Sequence, residues 1–340
     1  MAGSSAKAVY AAIATNSVIT VTKLTAFAFT GSGAMLSEGI HSLADVSNQT
    51  LLALGIKKAK KAPDTEHPYG YGRDAFVWAM ISAVGIFFLG CGFTLYHGGS
   101  ALWDHLQGHP HPIESVNVAV GVLIFSVILE TWTLWVAVVE VKKSAKAADM
   151  TLSEYTQKGP DPMAVAVLLE DAAAVIGVLI ALACIGMYLL TGNPIWDAIG
   201  SLIISALLGA VAIFLVKKNR SALLGRTVTQ REHDAVTDVL ESDPAVEQLH
   251  DVKATVMGAD SFRFKAEVDF DGKVIAKKAL ESQDLESVSS KVSGSTEALE
   301  QYLMEFGEQI VETLGDEIDR IEAQIQSQVP AAKYVDLEAD

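Results

Sequence analysis

The chain has 340 residues, half of them hydrophobic, and a formal net charge of −16. So apolar a composition exceeds the usual soluble balance and points to several membrane spans. Residues 1–225 carry 15 acidic and 14 basic side chains, whereas residues 226–340 carry 26 and 11. The first part is therefore built for lipid and the second for water, and the acidic second part disfavours nucleic acid or an anionic lipid surface as partner.

In chain order, apolar helices of spanning length are expected at 8–30, 33–57, 74–99, 116–140, 163–190 and 194–216. Thr30-Gly31-Ser32-Gly33 and Thr191-Gly192-Asn193-Pro194 read as tight turns between neighbouring spans. Lys57, Lys58, Lys60, Lys61 and Arg73 follow the second span; Lys142, Lys143, Lys146 and Lys158 follow the fourth; Lys217, Lys218 and Arg220 end the sixth. The loop from Ser100 to Ser115 has neither Lys nor Arg. Basic loops stay inside, so both termini are expected in the cytoplasm. Met1 to Ala8 reads as neither a signal nor a transit peptide, which favours a bacterial cytoplasmic (inner) membrane. Cys91 and Cys184 sit inside apolar runs and supply neither a disulfide framework nor a thiolate metal site.

Beyond Arg226 the pattern becomes α+β: a short helix at 230–241, strands at 247–257 and 261–270, a turn at Asp271-Gly272, a long amphipathic helix at 295–327 and an edge strand at 334–338. Residues 1–220 are thus expected to form a six-helix membrane domain, and 221–340 a small acidic cytoplasmic domain serving dimerisation or regulation.

Ionisable groups inside spans are costly and each needs a reason. On the second span Glu38, His41, Asp45 and Asn48 form one helical stripe, with His41 and Asp45 one turn apart. The fourth span carries Glu130, and the fifth carries Glu170 and Asp171. Counted from the cytoplasmic ends, Asp45, Glu130 and Asp171 lie at about 18, 15 and 12 Å, the same level within the precision of helix ends. Carboxylates and an imidazole gathered there are a nitrogen–oxygen ligand set suited to Zn²⁺, and also to Mn²⁺, Fe²⁺ or Co²⁺. A polar network that only specifies packing is the alternative, with Asn48 or Glu170 able to act as hydrogen-bond supports to the ligands. No His-Glu-x-x-His helix favours a membrane metalloenzyme, and a polar-core scaffold that recruits partners through its tail is the other rival.

These residues resemble the cation diffusion facilitator family, in its mitochondrial-type zinc transporter branch. The likeness is carried by His41-Ser42-Leu43-Ala44-Asp45, by the loop from Asp64 to Arg73, by Leu168-Leu169-Glu170-Asp171, and by segments such as His250-Asp251-Val252-Lys253 and Val335-Asp336-Leu337-Glu338. It implies six membrane helices per protomer, a ferredoxin-like cytoplasmic domain and a homodimer. It also implies alternating-access exchange of a divalent metal, zinc first, for protons, generally out of the cytoplasm, with no permanent cofactor. His41, Asp45 and Asp171 are the implied ligands. Three departures stand out. Val167 occupies the usual place of a further ligand, leaving Glu130, Asn48 or water to complete the set. Tyr71 replaces a loop histidine, so Asp64 and His67 alone remain as a candidate loop site. The cytoplasmic part offers only His233 and His250, too few for the metal cluster of some relatives.

Overall fold

The computed structural model describes residues 2–30, 33–109, 116–281 and 283–340, and for 2–5, 30, 33–38, 40 and 41 the backbone only. The expected turn at Gly31-Ser32 lies outside the described residues. The chain divides into two compact units, Met1–Leu224 with the tip Gly258–Asp260, and Gly225–Met257 with Ser261–Asp340.

The first unit is helical: α1 (Ala2–Thr30), α2 (Gly33–Ala59), a third span made of α3 (Asp74–Gly85), a π-helical segment (Ile86–Gly92) and α4 (Phe93–Leu106), then α5 (Val116–Ala147), α6 (Leu152–Lys158), α7 (Pro162–Thr191) and α8 (Ile195–Leu223). Among the described residues, five of these segments are long and apolar enough to cross a membrane. α2, at 27 residues, is equally long, but its polar stripe keeps it below their apolarity. Phe88, Trp135 and Leu190 are 67%, 62% and 82% exposed, a surface that only lipid can cover at low cost. Helices run past the expected span ends, α5 to Ala147 and α8 to Leu223.

Each helix end has a local cause. Asp161 Oδ1 accepts from the N–H groups of Met163 and Ala164 at 3.0 and 3.1 Å, Pro162 supplies the first position of α7, and Gly192 closes it at φ +67°. The Thr191–Pro194 turn is then tied by Asn193 Oδ1 accepting from the Ile195 N–H at 3.0 Å. α6 was not expected. Thr151 caps its start, and Lys218 Nζ donates to the carbonyls of Thr156 and Gly159 at 2.7 and 3.2 Å at its end. α4 and α8 pack closely because a Cβ at Gly98 would stand 2.8 Å from Ser201 Cβ.

The second unit holds α9 (Gln230–Glu241), β1 (Val246–Gly258), β2 (Ser261–Phe270), α10 (Gly272–Glu281), α11 (Leu285–Val292), α12 (Thr296–Gln328) and β3 (Ala332–Ala339). The sheet order is β1-β2-β3, with β2 and β3 parallel and Phe264 opposite Val335. A parallel pair needs a long crossover, which α10 to α12 provide. The alternation of Phe262, Phe264, Ala266 and Val268 buries one face of β2 against Val236, Leu240, Ile321 and Ile325 of the helices. The unit is a ferredoxin-like α+β fold, in which the Thr227–Thr255 bridge stands where a further strand would begin. Asp271-Gly272 is more than a turn: Asp271 Oδ1 accepts from the N–H groups of Lys273 and Val274 at 2.8 and 3.4 Å and caps α10.

Candidate metal centre

The polar stripe of α2 and the Glu170-Asp171 pair of α7 line one cavity of about 90 Å³. At about 10–15 Å³ per water centre this is room for an ion with part of its hydration shell. From α2 come Asp45, Asn48 and Gln49, at i, i+3 and i+4 on one face. Asn16 of α1 faces the same space, which Gly85, Ile86, Leu89 and Gly90 of the third span and Leu208 of α8 close with apolar surface.

The hydrogen bonding around the cavity is unbalanced toward acceptors. Asn48 Nδ2 donates to Glu170 Oε1. Asn48 Oδ1, Gln49 Oε1, Glu170 Oε2 and Asp171 Oδ2 are buried, and among the described residues none of these four oxygens meets a hydrogen-bond donor. Asp171 is 3% exposed. Asp45 lies within electrostatic reach of both acids of α7, and the Thr133 hydroxyl of α5 reaches Asp171. Each buried oxygen without a donor costs about 1–3 kcal/mol, and a cation is the partner that would satisfy several at once.

The sequence-predicted residues divide accordingly. Asp45, Asn48, Glu170 and Asp171 meet at the cavity. His41 lies on α2 one turn before Asp45, but its side chain falls outside the described residues. Glu130 is buried on α5 and does not line the cavity; its carbonyl accepts from Thr133 at 2.9 Å. Among the described residues no three His, Cys, Asp or Glu side chains form a metal-holding group. The residues that sequence reasoning passed over are Asn16, Gln49 and Thr133. Gln49 stands one turn after Asp45, but an uncharged amide there does not stand out in the sequence.

Asp64 and His67 form a different object. Asp64 Oδ2 accepts from Lys61 Nζ at 2.7 Å and the Tyr71 hydroxyl at 3.0 Å, while its Oδ1 accepts from the N–H groups of Glu66 and His67 at 3.1 and 2.9 Å. The Lys61 hydrogen bond holds the Asp64 carboxyl well below the usual carboxylate range. Four donors, one of them cationic, already occupy the lone pairs a loop metal would need. The His67 ring packs on Tyr71, with centroids 4.3 Å apart. The loop is clasped by this cluster where the sequence offered a candidate metal site.

Residues 9–224 match the family model of the cation efflux transmembrane domain. The chain belongs to the cation efflux family, the cation diffusion facilitators. It is 45% identical over 98% of its length to the proton-coupled zinc antiporter SLC30A9, mitochondrial, of Xenopus laevis, and 44% identical over 98% to the protein of that name from Homo sapiens. Metal tolerance protein C4 of Arabidopsis thaliana is 40% identical over 98% of this chain and 73% of its own. The chain spans 59% and 58% of the length of the two vertebrate relatives. As a cation efflux protein it is a multi-pass membrane protein. The full-length relatives include vertebrate proteins named mitochondrial, and they lend no support to the bacterial inner membrane expected from the sequence.

Proposed function

We propose that this cation efflux protein is a proton-coupled antiporter of divalent metal ions, with Zn²⁺ its principal substrate. One observation carries the reading: four buried oxygens from two helices meet no donor among the described residues, around a cavity lined by Asp45 and Asp171. His41, Asp45 and Asp171 bind the ion, and Asn48 fixes Glu170 beside it. The vertebrate relatives' designation as proton-coupled zinc antiporters supports the substrate and the coupling.

The chemistry follows from the ligands. Carboxylates and imidazole bind metal in their deprotonated forms, so loading the site releases protons and protonation unloads it. Alternating access then needs the cavity to open to one side of the membrane at a time. Export from the side of the basic loops, driven by protons moving the other way, is the direction proposed, with both termini on that side. The working unit is a homodimer joined in part through the acidic cytoplasmic domain.

Reconstitution tests this. Vesicles holding the wild-type chain and loaded with a pH-sensitive dye should acidify or alkalise on Zn²⁺ addition in step with metal movement. Asp45→Ala and Asp171→Ala should abolish that coupled flux. Unchanged flux in either variant removes the cavity as the transport site.

A further inference from the structure

We infer that Gln49 supplies a neutral oxygen ligand to the transported ion and widens the site toward harder dications of the Mn²⁺ class, an inference that rests on reading this cavity as the ion's binding site. Gln49 is 1% exposed and ranks among the largest fully buried side chains. Its Oε1 meets no donor among the described residues. It stands one turn after Asp45 on the same face of α2, and it lines the cavity that Glu170 and Asp171 line from α7.

A glutamine serving only to fill space is disfavoured by these facts. Leu or Met would occupy the position without leaving an amide oxygen unsatisfied, at about 1–3 kcal/mol. A carbonyl oxygen turned on a cation removes that penalty. The consequence for selectivity follows from coordination number. Zn²⁺ is satisfied by four ligands, imidazole among the preferred ones. Mn²⁺ takes oxygen-rich, near-octahedral surroundings and binds more weakly at any given site. An added amide oxygen therefore matters more to Mn²⁺ than to Zn²⁺.

The test is calorimetric titration of the purified full-length chain in detergent with ZnCl₂ and MnCl₂, separately, for wild type, Gln49→Leu, Gln49→Glu and Asp171→Asn. Gln49→Leu is expected to weaken Mn²⁺ about tenfold or more and Zn²⁺ less, so that the ratio of the two affinities shifts toward zinc. Gln49→Glu, which keeps an oxygen in place, is expected to restore Mn²⁺ binding. Gln49→Met takes the place of the leucine variant if that protein does not fold. Equal losses for both metals, or no loss, would mark Gln49 as a packing residue and overturn the inference. Asp171→Asn separates the two ideas: loss of both metals there keeps the cavity as the ion site, whereas wild-type binding there removes the reading beneath it.

Discussion

Asp171 shows what the proposed ion site costs the membrane unit. The residue is 3% exposed and its carboxyl has one oxygen without a donor among the described residues, an arrangement that lowers stability wherever no cation shares it. Asp171→Asn relieves the buried charge, so that variant is expected to melt at or above the wild-type temperature in detergent while losing zinc-dependent proton flux. Asp64 should behave in the opposite way. Asp64→Ala unties the loop between α2 and α3 yet leaves zinc affinity unchanged in a titration, because its lone pairs serve Lys61, Tyr71 and two backbone N–H groups. The acids Asp45 and Asp171 were legible in the sequence because charge inside an apolar run is conspicuous. Gln49 was not, since an uncharged amide raises no such alarm and only its neighbours across the cavity give it meaning. Asp64 misled for a related reason: spacing shows a carboxylate near a histidine but not the donors already attached to it.

At the scale of elements, α7 is specified at both ends, with Asp161 and Pro162 at its start and a left-handed glycine at its end. Asp161→Ala is expected to cost about 1–2 kcal/mol, since the cap is buried. Gly192→Val should cost about 1–2 kcal/mol by forcing a β-branched residue to φ +67°. Thermal unfolding in detergent reads both. This same punctuation made the spans readable from sequence almost end to end. The short helix α9 was expected, but α6 and α10 were not. α6 has seven residues and α10 ten, too few turns for apolar periodicity to stand out, and both are fixed by partners far along the chain or by a cap that resembles a turn. In the second unit β2 was readable because its alternating face is also its buried face.

Across the whole molecule, the excess negative charge of the second unit is organised around a few cations. Arg320 donates to Glu317 at 2.8 Å and to Asp243 at 2.7 Å, and Lys278 lies 2.6 Å from Glu317. Burial pushes the Glu317 carboxyl up, but the bonds from Lys278 and Arg320 outweigh it and hold it below its ordinary 4.5. A carboxylate depressed by folding contributes stability that is present above 4.5 and is lost as pH falls below it. Glu317→Gln should therefore destabilise the second unit by about 2 kcal/mol at neutral pH and flatten the acid limb of its unfolding curve, followed by circular dichroism. The membrane unit holds a geometric consequence of another kind. The third span changes winding over Ile86–Gly92, whose Ile86, Leu89 and Gly90 line the cavity. A turn that takes in one extra residue moves everything after it about 100° around the axis relative to a regular helix. A side chain between Phe93 and Leu106 thus faces a direction that counting by 3.6 from Asp74 misassigns, and scanning substitutions along this span have to be phased separately above and below the widened turn.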